Sequence, residues 1–357
     1  MTMIHKYQTH WKNKMKQSQV KLLLSLDYEL FFGNKSGSVE HCLLRPTRYL
    51  LNVVNRYNVK ISLFVDAGFL IKLKQYSADF PLLAEQYAAI KKQLQSLSQQ
   101  GHDIQLHIHP HWQDSYYSSK GWVINSKRYR LHDFCRQEQN EIVTSYKQEL
   151  ESCSEQKIFA FRAGGWCLQP FEDIRQSLEN NNIWLDSTLF AEGRCDDPSR
   201  WFNFKDMPDK AWWNFKNDPL TEQLDGYFTE LPISAVKTSP LFFWKLAFHK
   251  QFSSSKFSAF GDGQAIIHDK SYYIQRLSRT TCGPVSLDGS KAGQLDKALK
   301  EHKNKADPHA VFNVMGHPKS LTPYSLEKLN TFLQEHHELS SITYQDLHHL
   351  RNTAGKN

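Results

Sequence analysis

Gly101-His-Asp-Ile-Gln-Leu-His-Ile-His-Pro-His-Trp112 reads as a short strand that stops in a cluster of histidines. The strand candidate is Asp103–His107. Pro110 lacks the backbone donor a ladder needs, so it argues against a strand that continues through His111. Neutral imidazoles are the usual ligands for zinc and similar ions. One histidine here would read as a core or surface residue; His102, His107, His109 and His111 together point to a metal site. The spacing leaves the ligand pair open. Strand-end His107 and loop His111 are the first choice, with His109 as the alternate.

The same pattern, an apolar run ending in a polar group, recurs on both sides. Strand candidates are Lys21–Leu26, Lys60–Val65, Ile158–Arg162, Ile183–Asp186, Phe228–Ile233, Val311–Met315 and Ser341–Tyr344. Helix candidates are Pro46–Tyr57, Leu82–Gln99, Gln137–Ser154, Phe171–Asn180, Gln294–Lys303 and Ser325–His336. Leu83, Tyr87, Ile90 and Leu94 stand near helical spacing and form a core-facing stripe. Alternation of this kind predicts βα units, a mostly parallel sheet and an α/β barrel, or a strained relative of one, with seven or eight units. The expected organisation is a basic arm at 1–19 and one barrel domain at 20–352. Two aromatic-rich segments, Trp112–His132 and an insertion at about 193–289, are expected as loops over the mouth.

In such barrels chemistry gathers at the C-terminal ends of the strands. Leu22–Leu26 ends in Asp27 and Glu29, which share one face if the strand continues. Two buried carboxylates need a cation or an arginine. Arg162 closes the run Ile158–Phe161 and could hold one carboxylate ionised and oriented. Gly164 and Gly165 permit a tight turn and close backbone approach of a ligand. Asp186 and His317 stand at two further strand ends, and His317 suits a general acid.

Composition sets bounds. The formal net charge of +7 favours anionic partners, but the basic residues are spread along the chain, so nucleic acid is not singled out. Six cysteines without a C-x-x-C pair read as free thiols. No secretory signal and no membrane span is visible, so the expected compartment is the cytoplasm. Oligomeric state is not legible.

In order and spacing these residues resemble the polysaccharide deacetylases, carbohydrate esterase family 4. The resemblance runs from about Lys21 to the last strand. It implies a distorted (β/α) barrel that hydrolyses acetyl groups from an amino sugar or glycan, around one divalent ion. Zinc is the first choice, with cobalt, nickel or manganese as alternatives. It implies Asp27 as base, Glu29, His107 and His111 as metal ligands, and Arg162 as the residue orienting the base. Asp186 would support the late histidine or that arginine, and His317 would be the general acid. The ion would lower the pKa of water from about 15.7 toward about 7 and polarise the acetamide carbonyl. The chain departs from the commonest pattern at Tyr28, which separates the two acids, and at Gly164, where the family usually has proline. Trp112, Trp166 and Trp122 are candidates to stack on a pyranose, with Gly165 beside them. The absence of a visible signal points to a cytoplasmic precursor, such as a nucleotide- or lipid-linked amino sugar. Rival readings are an inactive carbohydrate-binding barrel and a metal-dependent amidase on a non-sugar amide. A glycoside hydrolase using Asp27 and Glu29 would leave the histidines unexplained.

Overall fold

The computed structural model describes residues 20–252, 255–265, 270–304 and 310–351. The expected arm at 1–19 lies outside the described residues. Nine strands share one sheet: β1 (Lys21–Tyr28), β2 (Ile61–Asp66), β3 (Asp103–Ile108), β4 (Ala160–Ala163), β5 (Leu185–Asp186), β6 (Trp213–Phe215), β7 (Phe228–Glu230), β8 (Val311–Gly316) and β9 (Ser340–Ile342). Their order is β6-β7-β5-β4-β3-β2-β1-β8, and β9 pairs with the first residues of β1. Every pair is parallel except β6 with β7. The sheet curls into a distorted barrel. Its open side is bridged by the chain after β7, where Ser234 N donates to Asn313 O (2.9 Å) and Asn313 N donates to Ser234 Oγ (3.0 Å).

Side-chain alternation makes two layers of this wall. Leu22, Leu24, Leu26 and Tyr28 face outward with Ile61, Leu63, Val65, Ile104, Leu106 and Phe161, in one continuous core with the helices. Burying each such aliphatic side chain stabilises the fold by roughly 1.5–3 kcal/mol. The helices are α1 (Arg45–Val54), α2 (Ala67–Gln75), α3 (Pro81–Gln99), α4 (Arg136–Ser154), α5 (Glu172–Asn180), α6 (Pro240–Phe252), α7 (Lys270–Ser278), α8 (Leu295–Lys303) and α9 (Pro323–Glu335). The alternate residues of the strands face inward. At the N-terminal end of the strands Leu23, Phe64, Ala160, Val311 and Tyr344 make a small apolar plug. Above it the interior turns polar, with Ser25, Gln105, Arg162 and Asn313.

Buried polar groups must find partners, and these do. Arg162 Nη2 donates to Ser25 Oγ (2.9 Å), Ser25 Oγ to Asn313 Oδ1 (3.0 Å), and Asn313 Nδ2 to Ser187 Oγ (3.1 Å). Asp103 accepts from Ser62 Oγ and from Tyr344 N, each at 3.0 Å. It is therefore a strut inside the barrel, well below the histidines.

All eight strand candidates correspond to observed strands. Helix α2 is absent from the sequence reading, because Ala67–Gln75 follows β2 with no turn residue between them. The 193–289 segment is more structured than a loop. It holds the antiparallel edge strand β6, helices α6 and α7, and a ribbon pairing Ala235–Thr238 with Thr281–Pro284. α6 is rich in Phe and Trp, which are modest helix formers, so its helical period is hard to see. None of the six cysteines forms a disulfide. Among the described residues no helix is long and apolar enough to cross a membrane.

Candidate active site

β1, β2 and β3 lie side by side, with Asp27 opposite Phe64 and Asp66 opposite His107. That register brings the inward residues at the ends of β1 and β3 together. Glu29 Oε2 lies 2.6 Å from His109 Nε2 and 3.3 Å from His107 Nε2, and the two imidazole nitrogens are 3.0 Å apart. All three are buried, and their ligand atoms lie within 4.8 Å of one another. His107 Nδ1 sits 3.0 Å from the carbonyl of Arg162. That bond fixes the tautomer, so Nε2 turns its lone pair to the cluster. Glu29 Oε2 is buried without a hydrogen-bond donor. Three converging lone-pair atoms in a water-poor site suit a divalent cation, and the nitrogen–oxygen donor set suits zinc or a similar metal.

The triad contains His109, where the sequence reading put His111 first. The backbone stays extended at His109 (φ −116°, ψ 87°), so the inward alternation runs one step past the last ladder bond. The helical turn starting at Pro110 then takes His111 out of the alternation. Its ring stacks on Tyr129 (5.6 Å, 13°) and on Trp112 (5.4 Å). Both of its ring nitrogens lack partners, and burial pushes its pKa well below the usual imidazole value. His111 is thus a neutral ring packed behind the site.

Asp27 stands beside the triad. Its Oδ1 accepts from Arg162 Nη1 at 2.7 Å, and its Oδ2 lies 4.0 Å from His107 Nε2 and 3.7 Å from His317 Nε2. Arg162 is held from three sides: Nε donates to Ser187 O (2.7 Å), Nη2 to Ser25 Oγ, and the guanidinium lies 4.2 Å over the Phe64 ring. His317 stands beside them, 3.6 Å from Glu29 Oε1, and its side chain keeps 17% exposure, more than Asp27, Glu29, His107, His109 or Arg162.

The group behind His317 is Asp288, which the sequence reading did not single out. Its Oδ2 lies 2.9 Å from His317 Nδ1, and its Oδ1 accepts from His317 N at 2.9 Å. Burial alone would raise the Asp288 carboxyl, but His317 outweighs it and holds the carboxyl at about 2. Burial likewise opposes a charge on His317, and Asp288, Asp27 and Glu29 overcome it, so the imidazole pKa is raised. Lys319 is a second unforeseen member. Its Nζ donates to Glu29 Oε1 (2.8 Å) and to Leu30 O (2.6 Å). Burial would raise the Glu29 pKa, but Lys319 and the two histidines hold it well below the carboxylate range. The only sequence signal for Lys319 is its place two residues after His317. Asp66, at the end of β2, is also buried here and accepts from Trp112 Nε1 at 2.5 Å.

Asp186 does not reach His317. It lies opposite Glu230 of β7, and both carboxyls are wholly buried. Thr188 Oγ1 donates to Asp186 Oδ1 at 2.5 Å, while Asp186 Oδ2 and Glu230 Oε2 have no donor. Burial pushes Asp186 up to about 6 and Glu230 well above its usual value, so the pair shares a proton beside Arg162. At this pair the folded state therefore binds more protons than the unfolded chain above pH ~4, and the pair's contribution to stability falls as pH rises through the raised values. Glu230→Gln is expected to remove that loss, raising unfolding free energy at pH 8 by on the order of 1 kcal/mol or more. Denaturant unfolding of both proteins at pH 5 and pH 8 measures it; equal pH slopes would contradict it.

The expected substrate-facing residues divide. Trp112 is fully buried against Phe69 (5.2 Å) and Trp122 (5.2 Å), so it offers no face to a sugar and instead anchors Asp66. Trp122 packs between Trp112 and Tyr117. Trp166 stays partly exposed, beside Phe190 and Phe202. Gly165 has φ +61°, and a Cβ there would sit 2.7 Å from Tyr129 Oη. Gly164 matters for a different reason: its Cβ would sit 2.5 Å from His109 Cε1 and 2.6 Å from Ile108 O. Gly164→Ala is expected to displace His109 and weaken divalent-ion affinity at least about tenfold. Gly283→Ala, where a Cβ meets nothing within 4 Å, is the control. Calorimetric metal titration of the two variants checks this.

No family model matches the sequence, and no curated protein matches it. Solved structures similar to this chain include a putative polysaccharide deacetylase from Mycobacterium smegmatis, at 15% identity and TM-score 0.48, covering 93% of this chain and 90% of the other. A family 4 carbohydrate esterase from Streptomyces lividans, in complex with acetate, matches at 10% identity and TM-score 0.33, covering 90% and 92%. A 4-alpha-glucanotransferase from Thermococcus litoralis matches at 10% identity and TM-score 0.47, covering 92% and 40%.

Proposed function

We propose that the protein is a metal-dependent hydrolase that removes acetyl groups from an amino sugar or saccharide precursor. The carrying observation is the buried convergence of Glu29, His107 and His109, with Asp27 and His317 on one side of it, each backed by its own partner. A divalent ion held by Glu29, His107 and His109 supplies Lewis acidity and activates water.

The protein's own groups supply the proton chemistry. Asp27 is the base. Arg162 pairs with Oδ1, leaving Oδ2 turned toward His107 and His317. His317 is the acid: Asp288 occupies Nδ1, leaving Nε2 turned toward Asp27 Oδ2. Amide hydrolysis needs both roles. One proton leaves water as it adds to the carbonyl carbon, and another reaches the amide nitrogen as its bond to that carbon breaks. The products are acetate and the free amine. Phe32 lies against His109 (4.4 Å) and His111 (4.6 Å) and helps exclude bulk water. The raised pKa of His317 favours the protonated form the acid step needs.

The test is acetate and amine release by zinc-loaded protein from N-acetylglucosamine oligomers, from an O-acetylated glycan and from a simple N-acetyl amino acid amide. Release from the saccharides supports the reading. Release from the amino acid amide alone would make the protein an amidase on a non-sugar substrate. Release from none would leave a barrel that holds its ligand without cleaving it.

A further inference from the structure

Helices α6 and α7 carry a surface that the catalytic reading does not use. On α6, Leu241, Trp244 and Phe248 follow at i, i+3 and i+7 and are 76, 57 and 61% exposed. On α7, Ile274 is 64% and Tyr273 47% exposed. Other exposed large apolar side chains, such as Tyr49, Leu82 and Leu224, are scattered along the chain; here they gather on one helical pair. The pair is braced. Trp244 Nε1 donates to Leu277 O (3.1 Å), Phe242 and Phe243 meet edge to face, and Arg276 lies 5.2 Å over the Phe243 ring. The apolar stripe is therefore displayed by ordered helices. Exposed large apolar side chains gathered on one helical pair mark a docking site.

Charge decides the partner. Among the described side chains the charged groups of this face are Lys245, Arg276 and Arg279, all basic, while Lys256 between the helices pairs with Glu327 (2.6 Å). Neither helix contains an acidic residue. A twofold contact between copies would set this basic patch against itself, which like charges oppose. A helix that exposes leucine, tryptophan and phenylalanine at helical spacing with Lys245 beside them suits the interface of an anionic lipid layer. The segment between the helices also ties this face to the catalytic rim: Phe260 N donates to Leu321 O (2.9 Å), Gly261 N to Lys319 O (3.0 Å) and Gln264 N to Lys35 O (2.8 Å).

We propose that the α6–α7 face docks on an anionic lipid surface, with Leu241, Trp244 and Ile274 entering the headgroup–acyl boundary and Lys245 and its basic neighbours meeting lipid phosphates. Resting on the reading of the previous subsection, this directs the barrel to an acetylated sugar carried on a lipid anchor. The docking itself needs neither metal nor sugar, so it stands or falls separately from the hydrolysis.

The experiment is flotation of the full chain with phosphatidylcholine vesicles and with vesicles of phosphatidylcholine and phosphatidylglycerol, with tryptophan emission recorded. The wild type is expected to float with the anionic vesicles, shift its emission to the blue, and detach as salt is raised. Leu241→Glu with Ile274→Glu keeps Trp244 and is expected to lower the partition coefficient at least about tenfold. Lys245→Glu with Arg279→Glu is expected to lower it on anionic vesicles while leaving the apolar stripe intact. Circular dichroism and melting of both variants, whose changes are at exposed positions, report that the fold is kept. Wild type that floats with neither lipid, or equally with both, overturns the proposal. So does a lipid-free dimer that Leu241→Glu with Ile274→Glu dissociates, which would make the face a contact between copies.

Discussion

His109→Ala protein is expected to bind no stoichiometric divalent ion, whereas His111→Phe retains about one equivalent. The two residues are two positions apart in a histidine-rich stretch, yet the structure gives them opposite surroundings. His109 Nε2 lies 2.6 Å from Glu29 Oε2 and 3.0 Å from His107 Nε2, so its loss leaves two donors and removes a buried ring packed on Phe32. Structural and catalytic zinc sites take at least three protein ligands, and a two-donor remnant is expected to lose affinity by at least about a hundredfold. His111 stacks between Tyr129 and Trp112, and neither of its ring nitrogens has a hydrogen-bond partner. Phenylalanine keeps the stack and relieves two unpartnered buried nitrogens. Metal content after dialysis, with zinc titration of each variant, separates them. Loss of the ion from His111→Phe with retention in His109→Ala would reverse the assignment.

Asp27→Asn is expected to lower kcat by about 10²–10⁴ while leaving metal content unchanged, the range for loss of a positioned general base. Asp27 contributes no atom to the Glu29–His107–His109 cluster, so the ion has no reason to leave. Arg162 keeps its bonds to Ser25 and Ser187, which supports the fold of the variant. His317→Ala is expected to fall in the same range for an N-acetyl substrate. It should fall less for an acetyl ester, because an alkoxide leaves with less help from a proton than an amine does. A rate measurement on paired amide and ester substrates, with metal quantified in the same samples, checks both. Equal losses on amide and ester would argue against His317 as the proton donor to nitrogen.

Much of this was legible because strands enforce a period of two. Asp27 and Glu29, two apart after an apolar run, had to share a face, and the barrel puts that face inward. Arg162 and His317 were legible for the same reason: each ends an apolar run whose neighbours are buried. The structure groups the alternate, His109, with Glu29 and His107 because Pro110 ends hydrogen bonding but leaves the backbone before it extended, so His109 keeps the inward alternation. Asp288 was invisible because its link to His317 depends on the chain at Val285–Leu287 running alongside β8, a long-range pairing no local pattern signals. Asp186 lies with Glu230 beside Arg162 rather than at His317, for a similar reason. β7 lies next to β5 and supplies Glu230 as its partner, and strand order cannot be read from spacing. Lys319 carries no local signal beyond its place after His317; only the fold of the rim buries it on Glu29. In the 193–289 segment the helices carry apolar residues on both buried and exposed faces, so the contrast that marks an amphipathic helix is weak.

The most direct test of the central claim is acetate release from an N-acetylated saccharide by metal-stripped protein, before and after one equivalent of zinc, with zinc-loaded Asp27→Asn alongside. The account predicts no release from the stripped protein, release after zinc, and a rate at least about a hundredfold lower from Asp27→Asn. Release that is independent of zinc, or equal in Asp27→Asn and wild type, would contradict it.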